Sequence, residues 1–298
     1  MPGLIGWRDV VLVHRLHFPL PLSYLAYACW GAAFAAADPR HLVSWPVLLT
    51  VVATLLALLA GLALNTAADR RTDAEDRDKT ALAGAGRRIG APRIAAWAAA
   101  EGATALALAL VVALRLDRWP PLFVVAAVLA AHLLYNVEPV RLKRRGFAGP
   151  LVFGAGFLAV PGLASYFAVL PALERSMVPV LAGLCVLAFG RTTWFSVPDH
   201  AADARTGIAT PGARYGPRRA LVTACALVAA GLVLLGGGLW GRYGPGWAVT
   251  GVVAEGAFLC GMAALAGPRR SWSRMRALGG PAVLLGDLTL VAIPLLAV

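Results

Sequence analysis

Nine long apolar runs joined by short polar connections dominate this chain and leave it few ways to fold. They fall at approximately residues 16–37, 43–64, 92–114, 120–135, 150–170, 177–196, 217–240, 246–266 and 279–298. A helix needs about 20 apolar residues to cross the hydrocarbon core of a bilayer, and there it must satisfy every backbone polar group internally. The runs therefore predict an all-α polytopic membrane protein with nine transmembrane helices. At 59% hydrophobic and 14% charged residues, the 298-residue chain is too apolar for a soluble domain of its size. No compact soluble unit is written between the runs, so residues 1–298 read as a single transmembrane domain. Residues 1–15 mix apolar and charged positions in the manner of a short interfacial helix; a cleavable signal peptide is not expected, because many more apolar runs follow. Cys29, Cys185, Cys225 and Cys260 sit singly inside apolar runs, a spacing that points to neither a disulfide framework nor a zinc site.

The basic residues orient the bundle. Of 27 Lys and Arg, 21 precede the first run or follow the second, fourth, sixth and eighth, and five lie in the alternate connections. Cytoplasmic loops retain Lys and Arg, so the N-terminus is expected in the cytoplasm and the C-terminus outside. The same sorting accounts for the net charge of +12 without nucleic acid, which would need a basic face on a soluble fold. The expected location is the cell (plasma) membrane.

Five of the fifteen carboxylates crowd into residues 65–79, directly after the second run. Asn65, Asp69 and Asp73 are four residues apart, which brings three oxygen-bearing side chains toward one face if the helix continues. A second pair at the same spacing, Asp199 and Asp203, follows the sixth run. Oxygen donors of this kind suit hard cations, and Mg²⁺ typically bridges a few carboxylates to substrate phosphates. A charged run of this sort is also what a solvated loop looks like. The two clusters end runs four apart, which hints at two four-helix halves plus a ninth helix, with a site between them.

The pattern Asn65-x3-Asp69-x3-Asp73, the downstream Asp199-x3-Asp203, and Tyr135-x3-Pro139-x-Arg141-x-Lys143 between them resemble the motifs of the UbiA superfamily of intramembrane prenyltransferases. The resemblance implies a UbiA-like helical bundle with its active site facing the cytoplasm. It also implies an isoprenyl diphosphate substrate and Mg²⁺ held by Asn65, Asp69, Asp73, Asp199 and Asp203. Arg70, Arg141 and Lys143 match family positions for diphosphate donors; Lys79 and Arg205 are candidates by loop position. Tyr135 opens the middle motif and is a candidate catalytic and pocket residue beside the carboxylates. His132, Trp194 and Phe195 lie close to the polar clusters and are candidate liners of a prenyl or acceptor pocket, although interfacial anchoring is the commoner role of such aromatics. The chain departs from the family in carrying Thr66 after Asn65 where many members have Asp, and Arg205 stands two residues past Asp203, so the match of Gly207 and Thr210 to the second motif is partial.

The implied activity is a Mg²⁺-dependent prenyl transfer from an allylic diphosphate to an aromatic or lipid-like acceptor. A UbiA-type terpene cyclase, which needs no second substrate, is the alternative within the family, alongside transfer of phosphoribose to a polyprenyl phosphate. A transporter would place its ion-binding acids near the bilayer midplane, not in connections at helix ends. Glu101, Glu255 and Asp287 interrupt apolar runs, where ionisable groups call for partners; Glu255 and Asp287 are expected to pair with arginine or with each other.

Overall fold

The apolar runs form helices because no other open structure satisfies the backbone away from water. The computed structural model describes residues 5–75, 79–265 and 272–297. Helix α1 (Trp7–Val13) precedes α2 (Leu20–Ala35) and α3 (Trp45–Ala68). Two short helices, α4 (Arg70–Glu75) and α5 (Thr80–Ile89), lead into α6 (Ala91–Leu116) and α7 (Pro120–Asn136). A fifth rod combines α8 (Ala148–Phe153), a π-helical turn (Gly154–Ala159) and α9 (Gly162–Val169). Helix α10 (Met177–Phe195) is followed by the short α11 (His200–Arg205) and α12 (Pro211–Tyr215). The chain closes with α13 (Pro217–Tyr243), α14 (Pro245–Leu265) and α15 (Trp272–Leu296).

Among the described residues, seven helices are long and apolar enough to cross a membrane, one in each run except the first and the fourth. Those two runs form the shorter helices α2 and α7, of 16 and 17 residues. Large apolar side chains such as Val233, Val253 and Phe123 point outward, which a bilayer tolerates and water does not.

The chain uses one device twice. Helices α3 and α6 pack as a pair, as do α10 and α13. In each pair the first helix ends in an acidic motif, two short helices follow, and a glycine with φ of 87° (Gly90, Gly216) precedes a long helix with proline in its first two positions. A residue with a Cβ is strained at that φ. The α10–α13 seam also depends on small residues. A Cβ on Gly183 would lie 2.5 Å from the Leu235 backbone nitrogen, and one on Gly231 would lie 2.5 Å from that of Leu187. Close backbone approach of this kind replaces hydrophobic driving force between helices in lipid.

Gly183→Leu should therefore lower the recovery of monodisperse protein and its melting temperature, by the equivalent of about 1–3 kcal/mol or more of overpacking. Gly237→Leu, on the same helix pair but facing open space, should behave as wild type. Size-exclusion profiles and thermal melts of the two variants check this.

Candidate active site

The acidic motif after α3 keeps its four-residue repeat through a break in the helix. Asp69 leaves helical geometry at the end of α3, yet its amide donates to the Asn65 carbonyl at 2.9 Å and the Asp73 amide donates to the Asp69 carbonyl at 2.8 Å. After α10, the Asp203 amide donates to the Asp199 carbonyl at 2.9 Å. The two motifs meet across one ammonium group: Lys79 Nζ lies 3.6 Å from Asp73 Oδ1 and 3.8 Å from Asp199 Oδ2.

The middle motif contributes a second set of cations. Lys143 is 5% exposed and bonds Asp69 Oδ1, while Arg141 Nη2 reaches the same oxygen at 3.4 Å and Glu138 through Nη1 at 3.0 Å. Asn65 is the hub of this side. Its Oδ1 accepts from Arg15 Nη2 at 2.6 Å, and because a guanidinium only donates, the amide orientation is set. Its Nδ2 then donates to Asp69 Oδ2 at 2.9 Å and to Asn136 Oδ1 at 2.8 Å. A metal ligated through the Asn65 oxygen would share that oxygen with Arg15.

These groups rim a cavity of about 590 Å³. Asn65, Asp69, Asp73, Lys79, Lys143, Asp199 and Asp203 line it together with Tyr135 and Phe195. The remaining candidates lie elsewhere. His132 is 4% exposed, stacked on Phe157 with ring centroids 3.6 Å apart and pressed against Gly61. Trp194 is 1% exposed and packs on Phe258 in the core beside α13. Neither lines the cavity, which takes Tyr135 and Phe195 instead; Trp194 is one helical position from Phe195 and so points about 100° away from it, while His132 is held by its stack on Phe157. Arg70 and Arg205 are exposed and outside the lining, and Arg141 meets the site through Asp69 alone.

Three contributors escaped the sequence reading. Arg15 and Tyr24 line the cavity from α2 and the turn before it, and Asn136 bridges Asn65 and Lys143. Asn136 follows Tyr135 inside the middle motif, a signal that was present; Arg15 carried none beyond its place at the start of a run. Thr210, whose motif match is partial, donates to Asp203 Oδ2 at 2.8 Å.

Burial sets the electrostatics. It raises the Asp203 carboxyl to about 6, against the opposing Thr210 hydrogen bond, and raises Asp73 despite Lys79. Burial likewise lowers the Lys143 ammonium, with Asp69 opposing. Among the described residues, no three His, Cys, Asp or Glu side chains converge into a ready-made ion site. The donor set nevertheless suits a hard cation completed by oxygens from outside the protein, since Asp73 Oδ2 is buried without a hydrogen-bond partner.

The fold and site together define a bundle of apolar helices in which two acidic motifs, at the ends of α3 and α10, rim a cavity with aromatic side chains in its wall. A model described as the UbiA prenyltransferase family matches residues 24–278, and this chain belongs to that family. It is 31% identical over 125 residues to the bacteriochlorophyll synthase 33 kDa chain of Rhodobacter capsulatus, a match spanning 41% of this chain and 41% of that protein. The chain thus matches about two fifths of the length of this curated relative. In fold it is similar to the apo structure of a UbiA homolog from Aeropyrum pernix K1, with a TM-score of 0.73, 19% identity, and coverage of 94% of this chain and 98% of that one. It is also similar to a UbiA homolog from Archaeoglobus fulgidus bound to DMAPP and Mg²⁺, with a TM-score of 0.70, 15% identity, and coverage of 97% and 98%.

In the metal-free protein, Asp203 should take up a proton as the pH falls through about 6, not near the ordinary 3.8. Difference infrared spectroscopy should show a protonated-carboxyl band with that midpoint, absent in Asp203→Asn. A band appearing only near pH 4 would contradict the burial argument.

Proposed function

We propose that this protein ionises an allylic isoprenyl diphosphate at the Asp69/Asp73 and Asp199/Asp203 motifs and transfers the prenyl group to an aromatic or lipid-like acceptor. The observation that carries this reading is the meeting of the two acidic motifs within 4 Å of one lysine ammonium, at the rim of a cavity whose walls include Tyr24, Tyr135, Phe153 and Phe195. An anionic head with a long apolar tail fits such a shape: cations and metal-binding acids at the rim, hydrocarbon and aromatic surface beyond.

Asp69, Asp73, Asp199 and Asp203 would hold Mg²⁺, which when bound neutralises the diphosphate and makes it a better leaving group. Lys79 now faces Asp73 and Asp199, and Lys143 and Arg141 face Asp69; the same donors are placed to clamp diphosphate oxygens once the acids turn to a cation. Asn65 holds Asp69 and Arg15 in register across the rim. The exposed Arg70 and Arg205 contribute to the positive field that draws an anion in. Tyr135 and Phe195 present aromatic surface that stabilises an allylic cation without capturing it. Because basic residues gather in the connections on this side of the bundle, we place the site at the cytoplasmic face of the plasma membrane. The relationship to a protein named for bacteriochlorophyll synthesis supports transfer to a second substrate over cyclisation.

Purified protein incubated with Mg²⁺ and farnesyl or geranylgeranyl diphosphate should release diphosphate. Release should stop with a chelator and fall at least about 100-fold in Asp69→Ala and in Asp199→Ala, the scale on which removal of one transition-state-stabilising group acts. Full activity in either variant ends the proposal. A cyclic hydrocarbon or alcohol formed from the diphosphate alone would replace transfer by the cyclase reading.

A further inference from the structure

A second polar cluster lies deeper in the same wall. Arg191 is one helical turn, roughly 6 Å, below Phe195 on α10. Its Nη1 donates to Asp287 Oδ1 at 3.0 Å and its Nη2 donates to Glu255. Their side chains are 3–5% exposed, and Gly286 leaves room for Glu255 because a Cβ there would lie 2.4 Å from its carboxylate. One guanidinium thus faces two carboxylates, an excess of one formal negative charge among membrane helices. Buried ion clusters are a weak source of stability, and ionisable groups within membrane spans are expensive enough to mark ligand sites.

The cluster has hydrogen-bonding capacity left over. Asp287 Oδ2 and Arg191 Nε are buried without partners. Tyr27 and Ser23 lie close enough to Asp287 to influence its carboxyl, and the Tyr27 hydroxyl can both donate and accept. Arg191, Tyr27 and Ser23 line the main cavity. Arg191, Tyr27 and Asp287 also line an adjoining pocket of about 20 Å³, room for one oxygen-sized group.

An unpartnered acceptor beside an unpartnered donor matches a hydroxyl, which both donates and accepts. A carboxylate or a second phosphate would meet the excess negative charge. An ether offers no proton to Asp287, and a hydrocarbon tail would leave both groups unsatisfied. We propose that Asp287, Arg191 and Tyr27 form a subsite for a neutral hydroxyl group of the prenyl acceptor, which the end of the prenyl tail does not occupy. This deepens the transferase reading and rests on it for the identity of the ligand as an acceptor.

The test compares binding of 2-naphthol and 2-methoxynaphthalene to the full-length protein by calorimetry in detergent. The hydroxyl compound should bind roughly tenfold tighter, one hydrogen bond's worth, and Tyr27→Phe and Asp287→Asn should each erase the difference. Equal binding of the two compounds, or binding of neither, overturns the subsite and leaves the pocket to a buried water only. A preference that persists in both variants overturns it as well. Should Asp287→Asn fail to give monodisperse protein, Tyr27→Phe decides. Mg²⁺-dependent diphosphate release by the wild type scores the parent reading separately. Release without a hydroxyl preference sinks the subsite alone, and a preference without release sinks the transferase reading alone.

Discussion

Carboxylates can sit at the rim of a low-dielectric helical bundle only while positive charge faces them, and the site is organised around meeting that condition. Asp73 and Asp199 share Lys79, and Asp69 is held by Lys143 and Arg141. Lys79, in the connection after α3, reaches Asp199 after α10, and Lys143 and Arg141, after α7, reach Asp69, so the pairing ties together the loops after α3, α7 and α10. The price of the arrangement is visible in Asp203, which Thr210 supports with a hydrogen bond but which burial still pushes up to about 6. A divalent ion entering with an anionic substrate would supply charge that such a rim lacks, and the lysines would be free to turn toward the phosphate oxygens.

The repeated construction explains why two distant stretches of chain arrive at one place. Each acidic motif ends the first helix of a tightly packed pair, and each is followed by two short helices and a glycine-proline entry into the second helix. The two helix pairs then present equivalent ends to a common mouth. The glycine seam between α10 and α13 sets how closely the second pair packs, and with it the position of Asp199 and Asp203 opposite α4.

Below the mouth the wall changes from charged to aromatic, and then at Arg191, which Asp287 and Glu255 hold from behind, back to polar. A cavity built only for a hydrocarbon tail has no use for that inner cluster, since each polar group removed from water needs a partner. Its presence adds a buried polar cluster beyond the charged rim and the aromatic middle of the cavity.

By itself the sequence determined the membrane class, the position of the helices and the residues of the rim, because run length, charge sorting and four-residue spacing are local properties with a direct physical reading. Asn65, Asp69, Asp73, Asp199 and Asp203 all gather at one cavity, and Glu255 and Asp287 both find an arginine. Which neighbour on a helix faces the cavity was beyond it. Tyr135 and Phe195 line the wall while His132 and Trp194 pack against Phe157 and Phe258, since an apolar run in a bilayer is hydrophobic on every side and its pattern does not mark an inner face. The same holds for Arg15 and Asn136, whose partners come from 50 and 71 residues away along the chain. Only the packing of the helices decided those contacts, because they depend on rotations and close approaches that glycines such as Gly61 and Gly183 permit in three dimensions and that no local spacing encodes.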